Sequence, residues 1–187
     1  DDPTLLWEFS DPALGFATTG PAIVRVNAVD RTKNGKWFVV FGSGPTGPIS
    51  NRQFMGTSDQ TLKLFVVDLK TGALLRTIEP SDSANAAIAN AFAGSMINAT
   101  ADFNLDYQDD ALYLGYVREN TPDGPGVWNQ GGVLRLQTNG DVNPANWTAG
   151  TVIEDIGPVT SSVVRLQNNT YHTNWLYFGS GRYYFAT

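Results

Sequence analysis

Short runs of β-branched and aromatic residues, separated by clusters of turn-forming residues, recur along almost the whole chain. This pattern restricts the possible folds more than any other feature of the sequence. The runs fall into two groups of four and the start of a third: Pro21–Val26, Trp37–Gly42, Leu62–Leu69, Ala73–Glu79; Met96–Asp102, Ala111–Val117, Gly132–Gln137, Gly150–Asp155; Ser161–Gln167 and Trp175–Gly181. The chain is therefore predicted to be all-β, with short strands joined by turns.

The groups share a glycine motif at an equivalent place. The sequence FGSG ends the second strand of its group at Phe41–Gly44 and again at Phe178–Gly181, and YLG at Tyr113–Gly115 holds the same position in the middle group. Four-stranded units repeated in tandem are typical of β-propeller blades, which bury their faces against neighbouring blades. We predict a partial β-propeller built from four-stranded antiparallel blades.

The number of groups is too small for a closed ring. Two full groups and two partial ones amount to about three blades, whereas propellers have roughly four to eight. Residues 1–187 are therefore expected to form part of one propeller domain with open ends, a fragment of a larger protein that other segments or copies complete. The opening run Thr4–Phe9 is interpreted as the last strand of a preceding group. The alternative is a self-contained sandwich of about ten strands.

Three local features add further expectations. Asn34–Gly35 is a tight-hairpin signal because both residues tolerate positive φ. The Ala-rich segment Ser81–Met96 predicts a short helix capped by a serine. Arg118–Gly132 is a long loop rich in Gly and Pro, with Trp128 at its expected exposed tip. That loop is either a binding element or an insertion packed on the rim of its blade.

Composition excludes several classes of function. The net charge of −6 and the lack of a Lys/Arg cluster argue against binding nucleic acid. The absence of cysteine excludes disulfides, thiolate zinc sites and cysteine nucleophiles. No apolar run approaches the roughly 18 residues that span a bilayer, so no transmembrane segment is expected. No signal peptide is recognisable, and the abrupt start DDPTLLWEF suits a mature or excised piece.

An acidic stretch between two predicted strands carries the strongest functional signal. Counting from Asp102, oxygen-bearing side chains fall at alternate positions, which curls a short loop around one hard cation. The predicted ligands are the side chains of Asp102, Asn104, Asp106 and Asp110 and the backbone carbonyl of Gln108. Ca²⁺ accepts such irregular oxygen sites more readily than Mg²⁺ does. Asp109 falls outside this register and is expected to point to solvent.

One residue of this loop departs from the usual pattern. The sixth position is normally glycine because the turn needs positive φ, and here it is Tyr107. Such a conformation costs a bulky residue on the order of 1–2 kcal/mol and is expected to weaken calcium binding to about 10⁻⁴–10⁻³ M. The alternative is a solvated acidic turn that holds no metal.

Taken together, these segments resemble the PilC/PilY family of type IV pilus tip-associated adhesin and biogenesis proteins. The resemblance covers nearly the whole chain and is carried, in order, by the segments LLWEFSDPALGFATTGPAIVRV, KWFVVFGSG and LFVVDLKTGALLRTI, the Asp102–Asp110 loop, and WLYFGSGRYY. It implies a C-terminal β-propeller with a calcium loop of the same spacing, which Asp102, Asn104, Asp106, Gln108 and Asp110 match position by position.

The resemblance also implies a function and a location. It implies an exported protein at the pilus tip, outer membrane surface or periplasm that supports pilus biogenesis, surface adhesion and twitching motility. Its implied partners are type IV pilins or minor pilins, together with an unidentified host or abiotic surface ligand. The sequence departs from the family after YLG, where Tyr116 and the Arg118–Gly132 loop intervene, and it has no RGD motif.

Two rival functions share parts of this pattern. LFVVDLKTGALLRTI resembles the repeat of pyrroloquinoline quinone dehydrogenases, but we expect Asp68 and Gly72 to serve the turn only, and the adjacent cysteines of such cofactor sites are absent. An integrin-like propeller would carry several structural calcium loops, and one is visible. His172 is the single histidine and lacks the partners of a catalytic base, so no enzyme is predicted.

Overall fold

The computed structural model describes residues 4–28, 34–50, 53–168, 170–171 and 173–182. Within them the strands are β1 Ala22–Val26, β2 Lys36–Gly42, β3 Ile49–Ser50, β4 Gln53–Phe54, β5 Leu64–Asp68, β6 Leu74–Ile78, β7 Ala91–Ala93, β8 Thr100–Ala101, β9 Ala111–Arg118, β10 Gln130–Gln137, β11 Thr148–Ile153, β12 Val164–Asn168 and β13 Thr173–Tyr177. Two single 3₁₀ turns lie at Thr121–Asp123 and Pro144–Asn146.

The strands form antiparallel sheets in the order that the repeats predict. The first blade has the order β1-β2-β5-β6, and β3 pairs with β4 inside the β2–β5 connection. The second blade has the order β11-β10-β9-β7, with β8 also paired to β9. The hairpin β12–β13 starts a third unit. The all-β fold and the partial propeller with open ends are thus confirmed.

The core lies between the blades because each sheet presents an apolar face to the next. One buried cluster joins the first two blades, and its largest members include Phe38 from β2, Leu64 from β5, Leu114 from β9 and Trp147 beside β11. A smaller cluster packs the second blade against the hairpin, with contributions from Ala111, Tyr113, Val133, Leu176 and Phe178. The blades therefore stabilise one another rather than folding around separate cores.

The repeated glycines mark the places where consecutive blades touch. A Cβ atom on Gly42 would lie 2.2 Å from the Cβ of Ala93 in the second blade, and one on Gly115 would lie 2.3 Å from the carbonyl oxygen of Val159, which leads into the hairpin. Such distances admit no side chain, so both positions require glycine. The FGSG and YLG motifs are thus equivalent in the fold as well as in the sequence.

The DLKTG segment forms a turn at the end of β5, as predicted. The Asp68 carboxylate accepts hydrogen bonds from the amides of Lys70 at 3.0 Å and Thr71 at 2.9 Å. Gly72 has a φ of 72° and lies against Trp7. The hydrogen bonds from Thr71 lower the pKa of Asp68 below its ordinary value. The contacts of Asp68 and Gly72 are those of a structural turn.

Three local predictions are wrong, and in the first two a tertiary or side-chain contact prevails over local preference. Residues 4–10 form no strand; instead, the indole N–H of Trp7 donates to the carbonyl of Leu69 at 2.9 Å. The segment 81–96 contains turns and β7 rather than a helix, because the Asp82 side chain accepts backbone amides from the residues that follow it. The last pair of β1 and β2 is Val26 with Lys36, so Asn34–Gly35 is not a two-residue turn between directly paired strand ends.

Trp128 is not at an exposed tip. Its side chain is 9% exposed and packs against Phe92, with 6.0 Å between the ring centroids, and against Val117. The Asn120 amide donates to the carbonyl of Val127 at 2.7 Å and folds the loop back on itself. The contacts support the alternative of an insertion packed on the rim.

None of the described elements is an apolar helix of membrane-spanning length.

Candidate functional site in the acidic loop

The predicted calcium residues lie in one turn at the edge of the second blade. Residues 102–110, here called the acidic loop, connect β8 to β9, which are paired antiparallel strands. Ala101 lies opposite Ala111, and the Asp110 amide donates to the Ala101 carbonyl at 2.7 Å. The pairing of the two strands therefore fixes both ends of the loop.

Backbone amides compensate the clustered carboxylates inside this loop. Asp102 accepts hydrogen bonds from the amides of Leu105 at 2.7 Å and Tyr107 at 2.9 Å. Asp106 accepts from the Gln108 amide at 2.9 Å and from its side-chain nitrogen at 3.0 Å. The Asn104 side-chain oxygen accepts from the Asp106 amide at 3.0 Å. These bonds curl the chain around the side chains at its first, third and fifth positions.

The last two predicted ligands have different surroundings. Asp110 accepts a hydrogen bond from the Phe103 amide at 2.7 Å, which closes the loop across its base. The side-chain oxygen of Gln108 accepts from the amide of Asn27 at 2.6 Å and so reaches out of the loop to the first blade. The backbone carbonyl of Gln108 remains the group assigned to metal binding.

Tyr107 adopts the strained conformation that its position requires. Its φ is 71°, and Leu105 has a φ of 63°, so two non-glycine residues occupy the left-handed region. This costs each of them roughly 1–2 kcal/mol. Contacts hold Tyr107 there, because its amide donates to Asp102 and its carbonyl accepts from Arg25 Nε at 2.9 Å.

The donor set fits a hard cation by its chemistry. Carboxylate, amide and backbone oxygens are the ligands that Ca²⁺ prefers. Across the part of the chain that the structure describes, no group of three or more His, Cys, Asp or Glu side chains is placed so that it could hold a metal ion. The aspartates of the loop are instead directed at amide donors, so metal binding would require their carboxylates to turn toward a common centre.

Asp109 does not point to solvent, and that prediction is wrong. Its carboxylate accepts the Arg25 amide at 2.7 Å, and its own amide donates to the Arg25 carbonyl at 2.8 Å. The Thr138 hydroxyl, in the second blade, donates to the Asp109 carbonyl at 2.7 Å. Burial raises the pKa of Asp109 above its ordinary value, although the Arg25 amide opposes the shift. Asp109 is bonded to both blades because β1 is an edge strand whose polar groups need partners.

We expect Asp109→Ala to lower the free energy of unfolding by about 1–3 kcal/mol, because the Arg25 amide then loses its acceptor. Asp109→Asn is the matched control, since its side-chain oxygen can still accept that amide. Urea unfolding of the wild type and both variants measures the difference. Equal midpoints for Asp109→Ala and the wild type would contradict a bridging role.

A groove with polar and apolar walls lies away from the acidic loop, and sequence reasoning missed it. It has a volume of about 540 Å³ between the β2–β5 connection and the loop after β9, and its wall includes Asp59, Asn90, Glu119 and Trp128. Glu119 accepts hydrogen bonds from Asn90 Nδ2 and the Gly126 amide, both at 2.6 Å. These residues come from segments far apart in the sequence, so no local motif predicts the groove.

His172, the single histidine of the sequence, lies outside the described residues.

Comparison with known proteins shows sequence similarity between this chain and type IV pilus biogenesis factors. No family model matches the chain. The type IV pilus biogenesis factor PilY1 of Pseudomonas aeruginosa strain UCBPP-PA14 is 30% identical over 123 residues, which cover 64% of this chain and 9% of that protein. PilY1 of strain PAO1 is 29% identical over 119 residues, 62% of this chain and 8% of that protein. The matched regions therefore span less than a tenth of these relatives.

A solved structure resembles the fold. The crystal structure of the Pseudomonas aeruginosa PilY1 C-terminal domain matches with a TM-score of 0.63 and 20% sequence identity. The match covers 97% of this chain and 36% of that domain. Nearly all of the partial propeller described above thus has a counterpart inside a longer domain.

Proposed function

We propose that the chain is part of a type IV pilus biogenesis protein of the PilC/PilY family, on the basis of its sequence match to PilY1 and its fold match to the PilY1 C-terminal domain. The observation that carries the proposal is the 30% identity to a pilus biogenesis factor over 123 residues. The proposed role is non-enzymatic: an exported protein at the pilus or cell surface that acts with type IV pilins or minor pilins in assembly, adhesion and motility.

A deletion in the source bacterium tests the pilus role. Loss of the gene is expected to abolish or reduce surface pili in electron micrographs and to reduce twitching, and a plasmid copy is expected to restore both. Unchanged piliation and twitching in the deletion strain would contradict the proposal. Fractionation of the strain that carries the plasmid, with an antibody to this region, checks export.

Within this role the acidic loop is proposed to bind Ca²⁺. The side chains of Asp102, Asn104, Asp106 and Asp110 and the carbonyl of Gln108 would hold the ion, which supplies positive charge between the carboxylates. The all-oxygen donor set and the curled path of the loop support this assignment. Because residues next to the loop's end contact β1, calcium would stiffen the junction between the two blades.

Asp106→Ala is expected to remove the calcium-dependent rise in melting temperature. Binding to the folded state alone stabilises it by RT ln(1 + [Ca²⁺]/Kd), about 1.4 kcal/mol at tenfold excess over Kd. Asp59→Ala is the control because Asp59 is an exposed aspartate outside the loop, and it should keep the response. Thermal melts of all three proteins with calcium, magnesium or chelator measure the effect. A full calcium response in Asp106→Ala would place the site elsewhere.

A further inference from the structure

The groove between the β2–β5 connection and the loop after β9 is formed jointly by the first and second blades. Residues 46–48 and 57–59 of the first blade line it, together with Asn90 and residues 119, 126 and 128 of the second blade. Connecting segments on a rigid scaffold often carry binding residues. The groove volume of about 540 Å³ lies in the usual range of small-molecule sites, roughly 300–1,000 Å³.

The groove and the acidic loop lie at opposite ends of β9. The acidic loop leads into Ala111, the first residue of this strand, whereas Glu119 follows Arg118, its last residue. A strand of eight residues is roughly 25 Å long. A small ligand in the groove therefore does not contact the proposed calcium site.

Two carboxylates of the groove are held in place by neutral donors. Glu119 accepts one hydrogen bond on each of its oxygens, from Asn90 Nδ2 and from the Gly126 amide, both at 2.6 Å. Asp59 accepts the Thr46 hydroxyl at 2.9 Å, and the Thr46 oxygen accepts the Asp59 amide at 3.2 Å. Because a carboxylate has about four acceptor sites, both groups can still accept hydrogen bonds from a ligand.

These two carboxylates have no ion-pair partner among the described residues. The ion pairs found there join Lys63 to Glu79 and Arg118 to Asp155. The described lining of the groove contains no Lys, Arg or His. The groove therefore offers mainly acceptors, and it favours a ligand that brings several donors and no negative charge.

An apolar surface lies beside these acceptors. Trp128 and Pro48 line the groove, and Trp128 is held in position by Phe92, with 6.0 Å between the ring centroids. A sugar ring has the matching character, with hydroxyl donors around its edge and C–H groups on its faces. An ammonium group carries three donors and would fill only a small part of the groove. The groove therefore favours a saccharide over an isolated cationic side chain.

We propose that the groove binds a short neutral saccharide. Glu119 and Asp59 accept its hydroxyl groups from the two blades, and one face of a sugar ring lies against Trp128. Saccharides that carry carboxylate or sulfate groups are disfavoured because the two carboxylates repel them. This site is separate from the acidic loop, and it does not rest on the proposed pilus role.

An array of immobilised glycans tests this assignment, with the whole chain as the analyte and a calcium chelator in every solution. Binding is expected to at least one neutral glycan that ends in glucose, galactose or mannose, and not to the sialylated form of the same glycan. Titration calorimetry with that neutral glycan then gives Kd for the wild type and the variants.

Asp59→Asn and Glu119→Gln are each expected to raise this Kd about tenfold, because a neutral acceptor replaces a charged one. Glu8→Gln is the matched control, since Glu8 is exposed and lies outside the groove, and it should leave Kd unchanged. Melting temperatures show whether each variant is folded. Asp59 is exposed, so its variant provides the comparison even if Glu119→Gln is unstable.

Any of four results would overturn the saccharide assignment. The first three are no binding to any neutral glycan, equal binding of the neutral and sialylated forms, and the same Kd for the wild type, Asp59→Asn and Glu119→Gln. The fourth is binding of an oligolysine peptide on the same array, without glycan binding and abolished by high salt, which would assign the groove to a cationic partner. Because the chelator removes free calcium and no readout involves pili, failure of either earlier proposal would leave these results unaffected.

Discussion

Replacing Trp147 with alanine is expected to lower the free energy of unfolding by about 3–5 kcal/mol, the usual cost of deleting a buried tryptophan. Its side chain is 1% exposed and contacts Phe38 of the first blade edge to face, with 4.9 Å between the ring centroids. The indole N–H donates to the Asp141 carbonyl at 2.7 Å. The substitution therefore opens a cavity between the blades and leaves the partly buried Asp141 carbonyl without this donor.

Trp175→Ala is the matched control, because the same side chain is removed from a position that is 58% exposed. We expect this variant to lose less than about 1 kcal/mol. Chemical denaturation followed by circular dichroism gives both values. Similar losses for the two variants would mean that the Phe38–Trp147 contact does not hold the blades together.

The strands and the repeat could be predicted because their signals are local. Alternating apolar residues mark β1, in which Ala22, Val24 and Val26 are buried and the intervening residues are less so. The glycines of FGSG and YLG form a recognisable sequence motif, but the sequence alone gives no physical reason for glycine at these positions. The structure supplies the reason, which is the close approach of Ala93 and Val159.

Most of the wrong predictions have a different cause, since they depend on a partner distant in sequence or on a side chain that competes with the backbone. Trp128 was expected at an exposed tip because nothing local reveals that Phe92 receives it. Asp109 was assigned to solvent because its partner, Arg25, lies in the other blade. In the segment 81–96, Asp82 binds the amides that a helix would have used.

In the acidic loop, residue spacing could predict the backbone conformation of one residue but not the contacts of the side chains. The sixth-position rule correctly indicated positive φ at Tyr107. Asp102, Asn104 and Asp106 accept amide hydrogens of their own loop, and their role as metal ligands stays a prediction. Spacing could not show that amide hydrogens compensate the carboxylates, nor that the Gln108 side chain extends to Asn27. Those contacts depend on how the blades pack, and they connect the predicted calcium site to the rest of the propeller.

Gly115→Ala is expected to lower the free energy of unfolding by about 1–3 kcal/mol, because an added methyl group overlaps a packed neighbour. The new Cβ would lie 2.3 Å from the Val159 carbonyl oxygen and 2.4 Å from its Cγ1 atom. The φ of Gly115 is not positive, so the loss would come from the contact rather than from backbone strain. The hairpin β12–β13 should detach first, which hydrogen exchange in residues 164–168 would detect.

Gly179→Ala is the control, because it places the same methyl group on the equivalent glycine of the second FGSG motif. Among the described residues no atom lies closer than 3.7 Å to the added Cβ, so this variant should be neutral or more stable by about 0.5–1 kcal/mol, since alanine restricts the unfolded chain. A loss as large as that of Gly115→Ala would contradict the assignment of the Gly115 effect to its contact with Val159.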